Sequence, residues 1–106
     1  MKAASIHLSE LAINDILEQA NWYESRSDEK LAKRWERAVT STLSRIRRTP
    51  NAGSPCRFRA AELLGTRRVP VSGFSKHLVF YKVERREVFV LRVIHGARDL
   101  ESLFAG

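Results

Sequence analysis

The side chains able to do chemistry in the second half of the chain are His77 and His95, together with Arg67, Arg68, Arg92 and Arg98. A histidine titrates near neutral pH and can take or give a proton. An arginine carries a permanent charge and can meet an anion or a developing negative charge. One reaction within reach of such a set, with no metal, is RNA cleavage. A base takes the 2′-OH proton, a cation stabilises the phosphorane-like transition state, and an acid protonates the leaving 5′-oxygen. On that reading Arg67, Arg92, His95 and Arg98 are the catalytic set. Plainer roles compete with it. His95 closes an apolar strand, where a histidine commonly bonds to nearby backbone. Arg98 and Asp99 are adjacent and could brace the tail. Arg92 interrupts an apolar run, so it must reach solvent or pair with an acid, because an unpaired buried charge is costly. Arg67 and Arg68 alternate across a strand, so at most one of them serves a given surface.

Charge is unevenly distributed along the chain. Residues 1–44 carry six basic and seven acidic side chains, whereas residues 45–98 carry thirteen basic and three acidic. A basic half of this size points to an anionic partner: nucleic acid, a ribosome or an acidic protein segment. Other classes are excluded. Cys56 is the sole cysteine, so neither an internal disulfide nor a cysteine-rich zinc site can form. No metal or cofactor is expected. There is no apolar run of the length a membrane span needs, and the start of the chain lacks the apolar stretch of a signal peptide. The cytoplasm is the expected compartment. With 106 residues, 43% hydrophobic and 29% charged, a single globular domain over 1–106 is expected.

The elements that must position these residues follow from pattern. Residues 2–8 are a strand candidate. Ser9 stands where a helix N-cap belongs, with Glu10 in the first turn, and Ala12, Ile16, Leu17, Ala20 and Tyr23 follow with helical spacing. The polar run over 25–28 breaks this helix, and Asp28 can cap a second one. The core stripe of the second helix is Leu31, Trp35, Ala38, Val39, Leu43 and Ile46. Arg45, Arg47 and Arg48 fall in its last turn, where cations suit the helix dipole, and Pro50 and Gly53 end it. Two helices with so short a break should form an antiparallel hairpin. Trp22, Tyr23 and Trp35 fit the helical stripes and read as core rather than as a base-stacking platform. Lys30, Lys33, Arg34 and Arg37, with Glu29 and Glu36, read as a solvated face. Residues 51–62 read as a loop, and 66–71, 77–83 and 88–94 as strands. The last two strands should pair as a hairpin across the charged turn Glu84-Arg85-Arg86-Glu87. Residues 97–104 could make a short helix. The order β-α-α-β-β-β predicts an α+β domain, a helical hairpin packed on a small antiparallel sheet.

That order, with several local strings, resembles the RelE/ParE toxin family. The strings are Ala20-Asn21-Trp22-Tyr23-Glu24 at the end of the first helix, Thr49-Pro50-Asn51-Ala52-Gly53 after the second, Leu64-Gly65-Thr66-Arg67-Arg68-Val69-Pro70-Val71, His77-Leu78-Val79-Phe80-Tyr81-Lys82-Val83, and Val90-Leu91-Arg92-Val93-Ile94-His95-Gly96-Ala97-Arg98-Asp99-Leu100. The resemblance implies a toxin neutralised by a co-expressed antitoxin in a hetero-oligomer. An acidic antitoxin tail would wrap the helical hairpin, with Trp22, Tyr23, Trp35 and Arg34 as contacts.

The family contains two activities. RelE-like members cleave mRNA in the ribosomal A site, and ParE-like members poison DNA gyrase. The His-Gly-Ala-Arg-Asp ending is similar to ParE-like members. His77 falls where some ribosome-dependent members carry arginine, Gly96 replaces a tyrosine, and Arg57 and Arg59 stand where RelE-like members carry lysines. The resemblance therefore implies a gyrase inhibitor whose target surface comprises Arg67, Arg68, Arg92 and Arg98. The alternatives are a ribosome-dependent mRNA endoribonuclease and a nucleic-acid-binding module that shares the fold.

Overall fold

The computed structural model describes residues 4–98 and 100–105. Strand β1, Ser5–Leu8, leads through Ser9 into helix α1, Glu10–Arg26. The Ser9 hydroxyl accepts from the Ala12 amide at 3.0 Å, the N-cap bond expected of a serine there. Asp28 does the same for helix α2, Glu29–Arg48, accepting from Leu31 N at 2.7 Å. The remaining elements are β2 (Ser54–Pro55), β3 (Arg67–Val71), β4 (Phe74–Glu84), β5 (Glu87–His95) and helix α3 (Leu100–Ala105). The loop expected over 51–62 thus contains the short strand β2 as well as two 3-10 turns that begin or end within it. Of the strand expected over residues 2–8, positions 2 and 3 lie outside the described residues.

The sheet runs β1-β5-β4-β3-β2; β3, β4 and β5 are antiparallel to one another as expected, and β2 adds an unexpected antiparallel pairing to β3. β1 departs from that pattern by lying parallel to β5. Its direction follows from the helical hairpin, a crossover that returns the chain to the end where it began. Ala4 N donates to Arg47 O at 3.1 Å, and Arg47 Nε donates back to Ala4 O at 3.0 Å.

Both faces of the sheet are covered. On one, Trp35, Val39 and Ile46 of α2 and Ala12 and Ala20 of α1 bury Val71, Val79, Tyr81, Val88, Val90 and Val93. On the other, Leu63 and Leu100 close over Phe80 and Ile94, joined by Phe58, Leu78 and Leu91. Thr42 ties α2 to the sheet side by accepting from Ser72 N at 3.0 Å while donating to Ala38 O. Leu17 departs from the expected α1 core: it is 53% exposed, beyond the edge of the buried stripe.

The β4–β5 turn is tighter than its four charged residues suggest. Glu84 and Glu87 pair as the last rung, leaving Arg85 and Arg86 as a two-residue turn. Both have positive φ, 47° and 65°. A turn of this kind matches the sheet twist but favours Asn-Gly. A side chain in the left-handed region costs roughly 1–2 kcal/mol.

Candidate functional site

The α1 side of the sheet carries a cleft of 490 Å³, walled by Asp15, Glu18, Gln19, Trp22 and Tyr23 from the helix and by Val93 to His95, His77 and Arg98 from the sheet end. Its floor follows from strand pairing. His77 lies directly opposite His95 on β4 and β5, and their rings sit edge to face with centroids 5.5 Å apart. His77 also packs against Trp35 at 5.0 Å. Burial, with a smaller contribution from His95, pulls the His77 pKa below the usual histidine value. Both causes disfavour the protonated ring. His95 is exposed, and its Nδ1 accepts from the Ala97 amide at 3.0 Å. With Nδ1 accepting, Nε2 is the ring nitrogen left to carry the proton of the neutral tautomer.

Asp15 is the residue that the sequence reading did not single out. β1 pairs with β5 only as far as Val90, so the rest of the β5 edge must be satisfied by other groups. Ser9 N donates to Val90 O at 3.0 Å, and the Ser9 hydroxyl donates to Leu91 O at 2.8 Å. Further along, the Asp15 carboxylate accepts from Val93 N at 3.0 Å and from Arg92 Nε and a terminal guanidinium nitrogen, each at 2.8 Å. The bidentate bond raises the Arg92 pKa further, against a smaller opposing effect of burial. The only signal for Asp15 in the sequence was the need of Arg92 for an acid.

Three of the expected site residues are engaged within the fold. Arg92 is 9% exposed and held by Asp15 in a buried ion pair. Trp35 is 0% exposed and donates from Nε1 to Ile16 O at 3.0 Å, which places it inside the helical hairpin rather than on its surface. Arg67 is half-buried, and one of its guanidinium nitrogens donates to Asn51 O at 3.0 Å and Gly53 O at 2.7 Å. It clasps the loop after α2. Tyr81 completes that clasp, donating to Pro50 O at 2.7 Å and accepting from Gly53 N at 3.1 Å. A side chain at Gly53 would collide with the Tyr81 hydroxyl, which is why glycine stands there.

Other expected contacts remain on the surface. Trp22 is 51% exposed with the Arg26 guanidinium 5.6 Å from its ring centroid, and Arg34, Arg68 and Arg98 are exposed. Tyr23 is half-buried between Trp35 and Phe74. The structure therefore brings His95 and Arg98 together, adds His77, and leaves Arg67 elsewhere. Arg67 pairs with Tyr81, four residues along β4 from His77, or roughly 13 Å at the usual rise per residue. Asp99, the other half of the expected Arg98–Asp99 brace, lies outside the described residues. Among the described residues, no three His, Cys, Asp or Glu side chains gather as metal ligands do. None of the helices there is long and apolar enough to cross a membrane.

A helical hairpin over a five-stranded mixed sheet is a fold that this chain shares with chains of solved toxin–antitoxin structures. A chain from the chromosomal ParDE toxin–antitoxin system of P. aeruginosa is similar, with a TM-score of 0.71 at 14% identity over 88% of this chain and 96% of that one. A chain of the RelBE2 complex from Mycobacterium tuberculosis aligns with a TM-score of 0.61 at 19% identity, over 88% and 98%. One from the heterotetrameric YoeB–YefM complex of Staphylococcus aureus gives 0.53 at 19%, over 87% and 95%. No protein of curated function matches the sequence. The sequence pattern of the ParE toxin of type II toxin–antitoxin systems matches residues 6–100. The chain belongs to that family, the ParE toxins of type II toxin–antitoxin systems.

Proposed function

We propose that the protein inhibits DNA gyrase by binding rather than by chemistry, that it acts in the cytoplasm, and that a cognate antitoxin neutralises it in a hetero-oligomer. The observation that carries this reading is the dispersal of the four residues a ribonuclease would need. Arg92 is committed to Asp15, Arg67 to two loop carbonyls, and only His95 and Arg98 share the cleft. A general acid or base is worth about 10²–10⁴-fold in rate only when held within hydrogen-bond reach of the reacting proton, and here no cation set closes around one point. The antitoxin would cover the apolar side chains that α1 leaves exposed, Leu11, Ile13, Leu17 and Trp22, and reach Arg34 on α2. Target contacts would come from Arg68 and Arg98, the members of the expected surface that remain free to reach a partner.

A second reading, a metal-independent ribonuclease, is favoured by one feature: two histidines 5.5 Å apart beside Arg98 in an open cleft. The two readings separate in one experiment. Induction of the protein should produce DNA breaks and an SOS response before translation stops, and the purified chain should block supercoiling by purified gyrase. His95→Gln, checked for folding and antitoxin binding, should stay toxic. Loss of toxicity in that variant, with A-site mRNA cleavage on purified ribosomes by the parent, would replace the gyrase reading with the ribonuclease.

A further inference from the structure

We infer that the end of the molecule opposite the cleft is a binding surface for the phosphate backbone of duplex DNA, with Arg85 and Arg86 at its tip. The fold assembles this end from separate segments. Arg86 O accepts from Ser5 N at 3.3 Å, and neighbouring Ala4 is bonded through both N and O to Arg47 at the end of α2. The hairpin tip therefore lies beside the last turn of α2, which carries Arg45, Arg47 and Arg48. On the far side of that turn, Arg45 and Arg68 border a 230 Å³ hollow with Thr49 and Ser54. Five exposed arginines, 45, 47, 48, 85 and 86, thus share one end, and exposed Arg68 extends the set along β3 toward the middle of the sheet. Among the described residues none of the six has a carboxylate within ion-pair distance. The nearest acids are Glu84, Glu87 and Glu62; Glu87 is held by His7 at 3.1 Å, and Glu62 lies on the segment whose carbonyl accepts from Lys82.

Backbone geometry points to a ligand independently of charge. Arg85 and Arg86 occupy a two-residue turn at positive φ, where Asn-Gly would sit without strain. Strain of this kind concentrates at sites of function. Arginine at both positions keeps two guanidinium forks at the tip of a rigid ribbon, and such forks match phosphate oxygens in bidentate pairs. Nucleic acid is favoured over an acidic protein by what this end lacks. Of the exposed large apolar side chains, Leu11, Ile13, Leu17 and Trp22 lie on α1 and Leu103 on α3, and only Leu64, in the turn before β3, comes near this end. A protein interface is centred on buried apolar or aromatic anchors, whereas backbone binding to nucleic acid draws its affinity from charge. This inference does not rest on gyrase being the target: a chain that left supercoiling untouched would still bind the duplex.

The test is fluorescence anisotropy with a labelled DNA duplex of about 20 base pairs and the full chain from cell-free synthesis, across a salt series. The parent should bind with an affinity that falls steeply with salt. The double variant Arg85→Asn/Arg86→Gly should melt at a higher temperature yet bind more weakly, its salt slope reduced by about 2, one for each lost phosphate contact. Arg45→Ala/Arg48→Ala should lower the slope similarly and serves as the reading should the turn variant misfold. Lys30→Ala/Lys33→Ala removes the same charge at the opposite end of α2 and should leave the slope as in the parent. The idea is overturned if the parent does not bind the duplex, or if both arginine variants bind as the parent does. It is equally overturned if the lysine variant loses as much, or if polyglutamate of equal charge competes as well as DNA, which would make the partner an acidic protein.

Discussion

The same two strands, β4 and β5, run through both ends of the sheet, yet the ends are built on opposite terms. At the His77–His95 end, polar groups are matched within the fold: Asp15 takes up Arg92 and the free amide of Val93, and Trp35, Phe74 and His77 pack edge to face. At the Arg85–Arg86 end the arginines are left uncompensated, and the turn backbone sits in the left-handed region. An arginine counted in the net charge is therefore not equivalent to an arginine available to a partner. Arg92 adds one positive charge to the total and presents almost none of it to solvent.

Substitutions should separate the two ends by the size and sign of their effects on stability. Trp35→Ala should be the most damaging, costing roughly 3–5 kcal/mol in urea denaturation, because it removes the largest fully buried side chain, around which Tyr23, Phe74 and His77 are arranged. An unchanged midpoint would show that the histidine end is not organised around it. Next comes Asp15→Ala, which strands the Arg92 charge and should cost about 3 kcal/mol. The double change Asp15→Leu/Arg92→Met should recover most of that loss, and failure to do so would mean that Asp15 matters chiefly as the acceptor for Val93 N.

At the other end the largest structural effect should be smaller. Tyr81→Phe removes the hydroxyl that joins Pro50 O and Gly53 N, leaving a buried amide unpaired, and should cost about 1–2 kcal/mol. The smallest effect should be one of pH. The folded-state pKa of His77 lies below 6.5, so the unfolded chain takes up the proton first as pH falls. Its contribution to stability is fully present above the unfolded value and declines as pH drops from there through the folded value. His77→Phe should flatten that part of the stability–pH curve. A parent and variant with the same curve below pH 6.5 would mean that the histidine end has no such dependence.

Much of the architecture was legible because it rests on local rules. Ser9 and Asp28 cap helices as their side chains dictate, and the stripe through Trp35, Val39 and Ile46 faces the sheet as its spacing requires. The alternation in residues 77–83 and 88–94 fixed the central hairpin, although β4 begins earlier, at Phe74. Leu17 was misplaced because α1 buries a narrower stripe than its apolar residues could fill, and Trp22 because an aromatic at helical spacing can lie just outside the contact. Within the candidate site, His95 and Arg98 were recognisable from sequence, while Asp15 was not, since its role depends on where β1 stops pairing with β5.

Local pattern was enough for the two long helices, the three long strands after them, the capping residues and most of the apolar stripes, because each depends on residues within a few positions of one another. The asymmetry of charge is plain from composition. Which arginines are free depends on contacts between distant segments. Arg92 meets an acid 77 positions away, Arg67 reaches loop carbonyls 14 and 16 positions away, and Arg86 comes to lie beside Arg47 through β1. Those distances close only when the helical hairpin folds onto the sheet. No local rule records which charges that closure pairs and which it leaves exposed.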